Sequence, residues 1–285
     1  MKMRTLSLST LAAFSLLVSA CGAKQEVSDA VETIAEEAVA EAEAQSLAAI
    51  IAAPHRSEDN RARDQYRHPQ ETLEFFGLQP DQTVIEIGPG RGWYTEILAP
   101  YLAASGHYIA ALQDAEGPRA SYRAGWDALV NEHADLLSDV PVVTFDPGSK
   151  IDLGEDNSAD LVLTFRAAHS WVSSGVAEEA LAGIFAVLKP GGHLGLVSHR
   201  APEGADPVAS ARNGYVPEAT IVELATAAGF ELVGSSEINA NPNDTTDHVN
   251  GVWSLPPTLR GGDEGREQFL AIGESDRMTL LFRKP

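Results

Sequence analysis

The chain has 285 residues, of which 44% are hydrophobic, and its 20 basic residues against 41 acidic ones give a formal net charge of −21. So many apolar residues exclude a fully disordered chain, and the sequence has neither the long apolar segments of a multi-pass membrane protein nor a collagen or mucin repeat. The five lysines of the whole chain cannot form a basic stripe, so we expect no nucleic-acid partner.

Residues 1–20 have the layout of an export signal. A short positive segment is followed by apolar and small residues over a length too short for a transmembrane helix. The only cysteine of the chain, Cys21, comes next. Residues 17–21 resemble a bacterial lipoprotein signal, which implies cleavage before Cys21 and a lipid anchor of more than one acyl chain. An ordinary cleaved signal followed by a chance cysteine is the alternative.

The residue after Cys21 bears on the membrane that would hold the anchor. It is Gly22, whereas an aspartate there favours retention in the inner membrane of enteric bacteria. We therefore expect a bacterial lipoprotein of the outer membrane that faces the periplasm.

Residues 21–55 predict an acidic tether rich in Ala and Glu. One lysine stands against seven acidic residues, at a spacing compatible with helix. Such a segment keeps a folded body away from anionic lipid. A partner-binding helix is the alternative, which we disfavour because alanine offers little surface to a partner.

Residues 56–285 predict a single α/β domain. Short apolar runs alternate with amphipathic stretches, which is typical of a sheet with helices on both faces. Residues 239–277, rich in Asn, Pro, Gly and Asp, predict a long loop that can serve as a substrate lid. Strands are predicted at 83–87, 108–112, 140–145, 160–165, 193–198, 231–238 and 278–283, and helices at 93–102, 118–137, 176–188 and 219–228.

A glycine-rich turn after the first strand is the strongest local signal. Residues 84–92 read Val-Ile-Glu-Ile-Gly-Pro-Gly-Arg-Gly, so an apolar strand ends in a turn whose backbone can approach a ligand closely. The dinucleotide pattern G-x-G-x-x-G needs glycine at position 93, which is Trp93. A nicotinamide or flavin oxidoreductase is therefore disfavoured, and no Walker A lysine follows.

At this turn the sequence resembles the class I S-adenosylmethionine (SAM)-dependent methyltransferases. Residues 86–92 resemble their first motif, and residues 189–192 resemble the turn before their fifth strand. The resemblance covers residues 56–285 and implies a Rossmann-like, seven-stranded, mostly parallel sheet whose last strand is antiparallel. It also implies S-adenosyl-L-methionine as cofactor, bound by Glu86, Gly88, Gly90, Gly92, Gln113 and Asp146, with Asp146 at the adenine amino group.

One position departs from that pattern. Class I enzymes commonly end the second strand with an acid that binds both ribose hydroxyls, whereas this chain has Leu112 and Gln113, with Asp114 one residue later. Gln113 can take that place through a single hydrogen bond. A narrower resemblance, to an exported group of predicted methyltransferases, is seen at residues 67–69 and 199–201, among others, and implies fold and cofactor but no substrate.

Two histidines are candidate catalytic bases. His169 follows the fourth predicted strand and His199 the fifth, so both are expected at the carboxyl edge of the sheet, where α/β proteins bind ligands. An imidazole is a suitable base near neutral pH. Hydrogen bonding to loop backbone is the alternative for each. A metal site made of both histidines and Asp244 is not supported by any tight ligand spacing.

Arg166 directly follows the fourth predicted strand. It can pair with a substrate carboxylate or phosphate, or brace Glu86 and Asp146, and we favour bracing. In the long loop, Arg260 and Arg266 can reach an anionic ligand. Three aromatic residues can floor a ligand pocket, although a place in the core is favoured for them; they are Trp93, Tyr94 and Trp171.

The sequence thus favours a lipid-anchored, SAM-dependent methyltransferase that acts on a small molecule outside the cytoplasm. The alternative is a catalytically inactive or repurposed ligand-binding lipoprotein on the same fold. The glycine turn and Asp146 favour the enzyme, whereas the missing acid after the second strand favours the binding protein.

Overall fold

The computed structural model describes residues 45–285. Cys21, the predicted signal 1–20 and most of the predicted tether 21–55 lie outside the described residues. Residues 50–285 form one compact unit, which includes the last six residues of the tether segment. In this unit His55 Nε2 donates a hydrogen bond of 2.7 Å to the Glu96 carbonyl. No helix within residues 45–285 has the length and apolarity to span a bilayer.

An eight-stranded mixed sheet forms the centre of the fold, in the order β4-β3-β2-β1-β5-β6-β8-β7. Strands β1, β2, β3, β5 and β6 are parallel, while β8 runs antiparallel to both β6 and β7. The antiparallel last strand is as expected. The strands are β1 (Thr83–Ile87), β2 (His107–Leu112), β3 (Val142–Asp146), β4 (Lys150–Asp152), β5 (Ala159–Phe165), β6 (Leu188–His199), β7 (Glu231–Ser236) and β8 (Arg277–Arg283).

The expectation of seven strands was wrong by one. All seven predicted strands are present, and β4 is added antiparallel to β3 at the edge of the sheet. Its three residues contain a single apolar side chain, Ile151, which is too short a pattern to give a period-two signal.

Helices lie between the strands and in the two long terminal segments. The predicted helix 118–137 is divided into a 3₁₀ turn and two α-helices, and the predicted loop 239–277 contains a 3₁₀ turn and one α-helix. The helices are α1 (Leu47–Ala52), α2 (Glu58–Arg61), α3 (Asp64–Arg67), α4 (Pro69–Phe75), α5 (Thr95–Leu102), α6 (Ala124–Glu132), α7 (Ala134–Leu137), α8 (Ala168–Ser173), α9 (Ala177–Val187), α10 (Pro207–Arg212), α11 (Glu218–Ala227) and α12 (Arg266–Ile272), with 3₁₀ helices at Ala120–Arg123 and Gly251–Ser254.

The strand order places the reversal of chain direction between β1 and β5. The chain runs outward from β1 through β2 and β3 on one side, then returns to β5 and β6 on the other. Ligands of open α/β sheets bind in the crevice at the carboxyl ends of the strands that flank such a reversal. The glycine turn follows β1 and Arg166 follows β5, so both lie at this crevice.

Candidate active site

The glycine turn after β1 opens onto a large cavity. Gly88 and Gly90 have φ angles of 64° and 62°, in the left-handed region that favours glycine. A Cβ atom built on Gly88 would meet nothing within 4 Å, and one on Gly90 would lie 3.9 Å from the Gly88 carbonyl oxygen. Both residues line a cavity of about 820 Å³. The turn therefore presents open backbone to any ligand in that cavity.

Gly92 has a different role in the same turn. Its φ angle is 81°, and a Cβ atom there would lie 2.3 Å from Leu129 Cδ2 on α6. It is not among the residues that line the cavity. Gly92 therefore allows α6 to pack on the turn, and the structure does not bring it to the ligand side together with Gly88 and Gly90.

Glu86, in β1, is buried and lines the large cavity. Its Oε2 accepts hydrogen bonds from Thr95 Oγ1 at 2.8 Å and from the Tyr108 hydroxyl at 2.6 Å. Burial raises the pKa of Glu86 to about 7, although both hydroxyl donors act to lower it. Near neutral pH this carboxyl group is therefore close to half protonated and can hold or release a proton.

We expect Glu86→Gln to change how stability depends on pH. Because the folded-state pKa lies above the ordinary value of 4.5, the contribution of Glu86 to stability is full below pH 4.5 and is lost as the pH rises through about 7. The amide oxygen of the introduced glutamine can still accept both hydroxyl hydrogen bonds, but the amide does not titrate. In urea unfolding, the free energy of unfolding of the variant relative to wild type should rise by about 2 kcal/mol between roughly pH 5 and pH 8. A difference between the two proteins that does not change with pH would contradict this prediction.

The two other predicted cofactor residues, Gln113 and Asp146, lie outside the lining of the large cavity. Asp146 is buried at the end of β3, and its Oδ1 forms an ion pair of 2.5 Å with Arg119 Nη2. Its Oδ2 is buried and has no hydrogen-bond partner in residues 45–285. The carbonyl oxygen of Gln113 accepts a 2.8 Å hydrogen bond from Arg123 Nη1.

Aromatic residues form one wall of the large cavity. Trp93 and Tyr94 are both buried and both line it. The Tyr94 ring stacks on Phe165 with a centroid separation of 3.5 Å, and Trp93 Nε1 donates a 2.8 Å hydrogen bond to the Asn60 carbonyl. Trp171 instead packs in the core against Phe145.

The bracing role favoured for Arg166 was wrong. Its guanidinium forms no ion pair with Glu86 or Asp146, whose partners are two hydroxyl groups and Arg119, respectively. Arg166 has a φ angle of 64°, which is uncommon for a residue with a side chain. Burial lowers the pKa of Arg166 to about 10, and Arg63 and Arg277 act in the same direction, yet the side chain stays positively charged at neutral pH. The alternative role, pairing with a substrate anion, stays open.

His169 and His199 line a smaller cavity of about 200 Å³ and lie with ring centroids 6.0 Å apart. Burial, with help from Arg166, lowers the pKa of His169 to about 4 and that of His199 well below its usual value. His199 Nδ1 is 2.5 Å from Ser275 Oγ. Both imidazoles are therefore neutral at neutral pH, and the lowered pKa makes each a weaker base than a free imidazole. Phe165 and Arg166 line this cavity and the large one.

The carboxylate of Asp244 is hydrogen-bonded to residues other than His169 and His199. It accepts hydrogen bonds from His248, Tyr215 and the Asp276 amide. Residues 45–285 contain no group of three or more His, Cys, Asp or Glu side chains placed to hold a metal ion.

The loop before β8 supplies part of both cavity walls, although not through the predicted arginines. Pro257 and Thr258 line the two cavities, and Trp253 lines the smaller one. Arg260 lies with its guanidinium carbon 4.9 Å from the Trp253 ring centroid, and neither Arg260 nor Arg266 lines either cavity.

Sequence reasoning missed three charged residues at the site, namely Arg63, Arg67 and Glu274. Both arginines line the large cavity, and Glu274 contacts both of them. A signal for the arginines was present, because residues 56–67 hold four arginines in an otherwise acidic chain. No pattern marked Glu274, which lies more than 200 residues away.

Comparison with known proteins gives matches among solved structures alone. No family model matches the sequence, and a search of curated proteins gives no match. The chain is similar to a SAM dependent methyltransferase from Aquifex aeolicus, at 16% identity and a TM-score of 0.50, over 79% of this chain and 93% of that chain. It is similar to geranyl diphosphate methyltransferase in complex with SAM, at 12% identity and a TM-score of 0.52, over 83% and 94%. It is also similar to the [4+2]-cyclase SpnF, at 18% identity and a TM-score of 0.52, over 77% and 80%.

At these low identities the similarity establishes the fold. The protein has the α/β, Rossmann-like fold of SAM-dependent methyltransferases, with a cavity at the turn that follows its first strand.

Proposed function

We propose that this protein is a SAM-dependent methyltransferase that acts on a small molecule. The observation that carries the proposal is the open turn at Gly88 and Gly90, which faces the 820 Å³ cavity at the reversal point of a methyltransferase-type sheet. We also propose that the chain is anchored through a lipid on Cys21 and faces the periplasm from the outer membrane, which is supported by the signal-like residues 1–20.

The glycine turn fits the cofactor, whereas Gln113 and Asp146 lie outside the lining of the large cavity. Gly88 and Gly90 leave open space in which its methionyl part can approach the backbone. Asp146 Oδ2, a buried acceptor without a partner in residues 45–285, suits a donor such as the adenine amino group. Gln113 stands where an acid usually binds the ribose. When bound, SAM supplies an electrophilic methyl group on a sulfonium.

The chain's own residues then position the methyl acceptor and manage its proton. In-line displacement depends mainly on proximity and orientation. Tyr94 and Phe165 stack on each other and give the large cavity an aromatic wall against which an acceptor can be oriented. His169 and His199, both neutral, line the adjoining cavity, where either can accept a hydrogen bond from an acceptor hydroxyl or amine and, as a weak base, take its proton while the methyl group is transferred.

A second candidate function is a repurposed ligand-binding protein. Two observations favour it: one Asp146 oxygen is already paired with Arg119, and no acid ends β2, whose last residue is the buried Leu112. The structural similarity to the [4+2]-cyclase SpnF shows that other chemistry occurs on this fold.

Calorimetric titration of the purified full-length protein with SAM and S-adenosylhomocysteine tests the proposal. We expect saturable binding of both, and transfer of labelled methyl groups from SAM into the small-molecule fraction of an envelope extract. If neither ligand produces heat at millimolar concentration, both the methyltransferase function and SAM as cofactor are rejected. Binding without any labelled product would favour the second candidate.

The anchor is tested by labelling cells with radioactive palmitate. We expect wild-type protein to carry label in the outer-membrane fraction, and the Cys21→Ser variant to carry none because the acceptor thiol is gone. Label that persists in the variant, or is absent from both chains, would contradict the proposed lipid anchor.

A further inference from the structure

A group of arginines surrounds one buried carboxylate beside the large cavity. Glu274 Oε1 lies 2.6 Å from Arg63 Nε, while its Oε2 lies 3.1 Å from both Arg67 Nε and Arg277 Nη1. Burial raises the pKa of Glu274, but the positive charges of Arg67, Arg277 and Arg63 outweigh burial and lower the pKa to about 2. Glu274 is therefore ionised, and these four residues carry a net charge of +2 before Arg166 is counted.

Three of the arginines keep buried N–H groups without a partner. The atoms are Arg63 Nη2, Arg67 Nη2 and Arg166 Nε, none of which has a hydrogen-bond partner in the described part of the chain. Arg67 is 2% exposed, and the side chain of Arg63 is 21% exposed. Leaving a buried charged donor unsatisfied is costly. All three residues, named here the guanidinium cluster, line the large cavity.

The acidic residues that line the large cavity do not pair with the guanidinium cluster, whose one carboxylate partner within residues 45–285 is Glu274. Four acidic residues line the large cavity, and none of them forms an ion pair with the guanidinium cluster. Glu96 accepts a hydrogen bond from Asn60 and approaches Arg56, and Glu86 accepts hydrogen bonds from two hydroxyls. Arg277, the fourth arginine around Glu274, is satisfied by Glu274 and by the carbonyls of Tyr66 and Ser275. Arg56 Nε and Arg119 Nε are also buried without a hydrogen-bond partner in residues 45–285, but neither residue lines the large cavity. The unmet arginine donors at that cavity therefore lie on the three cluster residues.

We propose that the guanidinium cluster binds an oxyanion, a phosphate or carboxylate group, of the methyl acceptor, so that the acceptor is an anionic small molecule. This inference rests on the proposed function, whose acceptor it specifies. Guanidinium groups bind such oxyanions through charge-assisted hydrogen bonds of matching geometry. Arg166 also lines the cavity of the two neutral histidines, so an acceptor held by it lies between the glycine turn and a candidate base.

The carboxylate of the cofactor is an oxyanion too, and the experiment must separate the two sources. The full-length protein is titrated with inorganic phosphate and with acetate at constant ionic strength set by chloride, with and without S-adenosylhomocysteine. We expect saturable phosphate or acetate binding that persists when S-adenosylhomocysteine is present. The tighter of the two probes identifies the oxyanion as phosphate or carboxylate.

Arg166→Met tests the cluster, because the Nε of this side chain has no hydrogen bond within residues 45–285 that the variant would break. We expect it to weaken oxyanion binding at least tenfold and to leave S-adenosylhomocysteine affinity unchanged. Its melting temperature without oxyanion should be equal to or above that of wild type, because an unpaired buried charge is removed. Arg260→Met, in the nearby loop but outside both cavities, is the matched control and should bind like wild type.

Three outcomes would overturn the inference. One is no phosphate or acetate binding beyond that of chloride, and another is equal loss in Arg166→Met and Arg260→Met. The third is loss of S-adenosylhomocysteine affinity in Arg166→Met while 5′-methylthioadenosine, which lacks the carboxylate, binds unchanged; the cluster would then hold the cofactor. If the proposed function fails, S-adenosylhomocysteine does not bind but the oxyanion probes still do, so the two failures are distinguishable.

Discussion

Replacement of Gly90 by valine is expected to weaken S-adenosylhomocysteine binding at least about a hundredfold, which corresponds to roughly 2.7 kcal/mol. A Cβ atom on Gly90 points into open space at the cavity, its nearest neighbour being a backbone oxygen 3.9 Å away. Under the proposed function, the branched side chain of valine would therefore occupy the space that the methionyl part of SAM, or the homocysteinyl part of S-adenosylhomocysteine, needs. The φ angle of 62° adds backbone strain of about 1–3 kcal/mol for a β-branched residue.

Gly204→Val is the matched control for Gly90→Val. Gly204 has a φ angle of 76°, a Cβ atom built on it would meet nothing within 4 Å, and it is exposed away from the cavity. It should therefore suffer the same backbone strain and retain wild-type affinity. Calorimetry on both variants, after circular dichroism confirms folding, measures the difference. Unchanged affinity in Gly90→Val would place the binding site elsewhere.

Replacement of Glu274 by alanine is expected to lower the free energy of unfolding by about 3–5 kcal/mol. Glu274 is the shared carboxylate partner of Arg63, Arg67 and Arg277, and Arg67 and Arg277 are buried. The variant would leave these positive charges close together without a counter-charge. Urea unfolding at neutral pH measures the loss.

The control for Glu274 is an exposed acid with a single arginine partner. Glu231 pairs with Arg283 at 2.6 Å, and both side chains are about half exposed, so Glu231→Ala should cost at most about 1 kcal/mol. Equal losses in the two variants would contradict a buried charge network at Glu274.

The effect of Glu274 should also depend on pH with a defined sign. Because its folded-state pKa is lowered from 4.5 to about 2, its stabilising contribution is full above pH 4.5 and is lost as the pH falls through about 2. The difference between wild type and Glu274→Ala should therefore shrink as the pH is lowered across this interval.

The strands and the glycine turn were predictable because their signals are local. The mostly apolar run at 83–87 matches β1 residue for residue. The glycines that follow it adopt positive φ angles, which glycine tolerates without strain because it has no Cβ atom. Strand β4 escaped prediction because its pairing with β3 depends on a neighbour rather than on its own three residues.

The roles of individual site residues were not predictable from local pattern. Three glycines at equal spacing share one motif, yet Gly88 and Gly90 face the cavity whereas Gly92 packs against Leu129. Arg166 was expected to brace Glu86 and Asp146. Glu86 instead accepts hydrogen bonds from two hydroxyl groups, and Asp146 forms an ion pair with Arg119.

By itself, the sequence determined the fold class and the position of the glycine turn, because periodicity and glycine spacing act over a few residues. The tertiary structure alone decided which charges meet. Strand β8 inserts antiparallel between β6 and β7, and Glu274, just before it, contacts Arg63 and Arg67 across separations of 211 and 207 residues. A contact of that separation follows from strand order rather than from local pattern, and it places unsatisfied guanidinium groups at the cavity of an otherwise acidic protein.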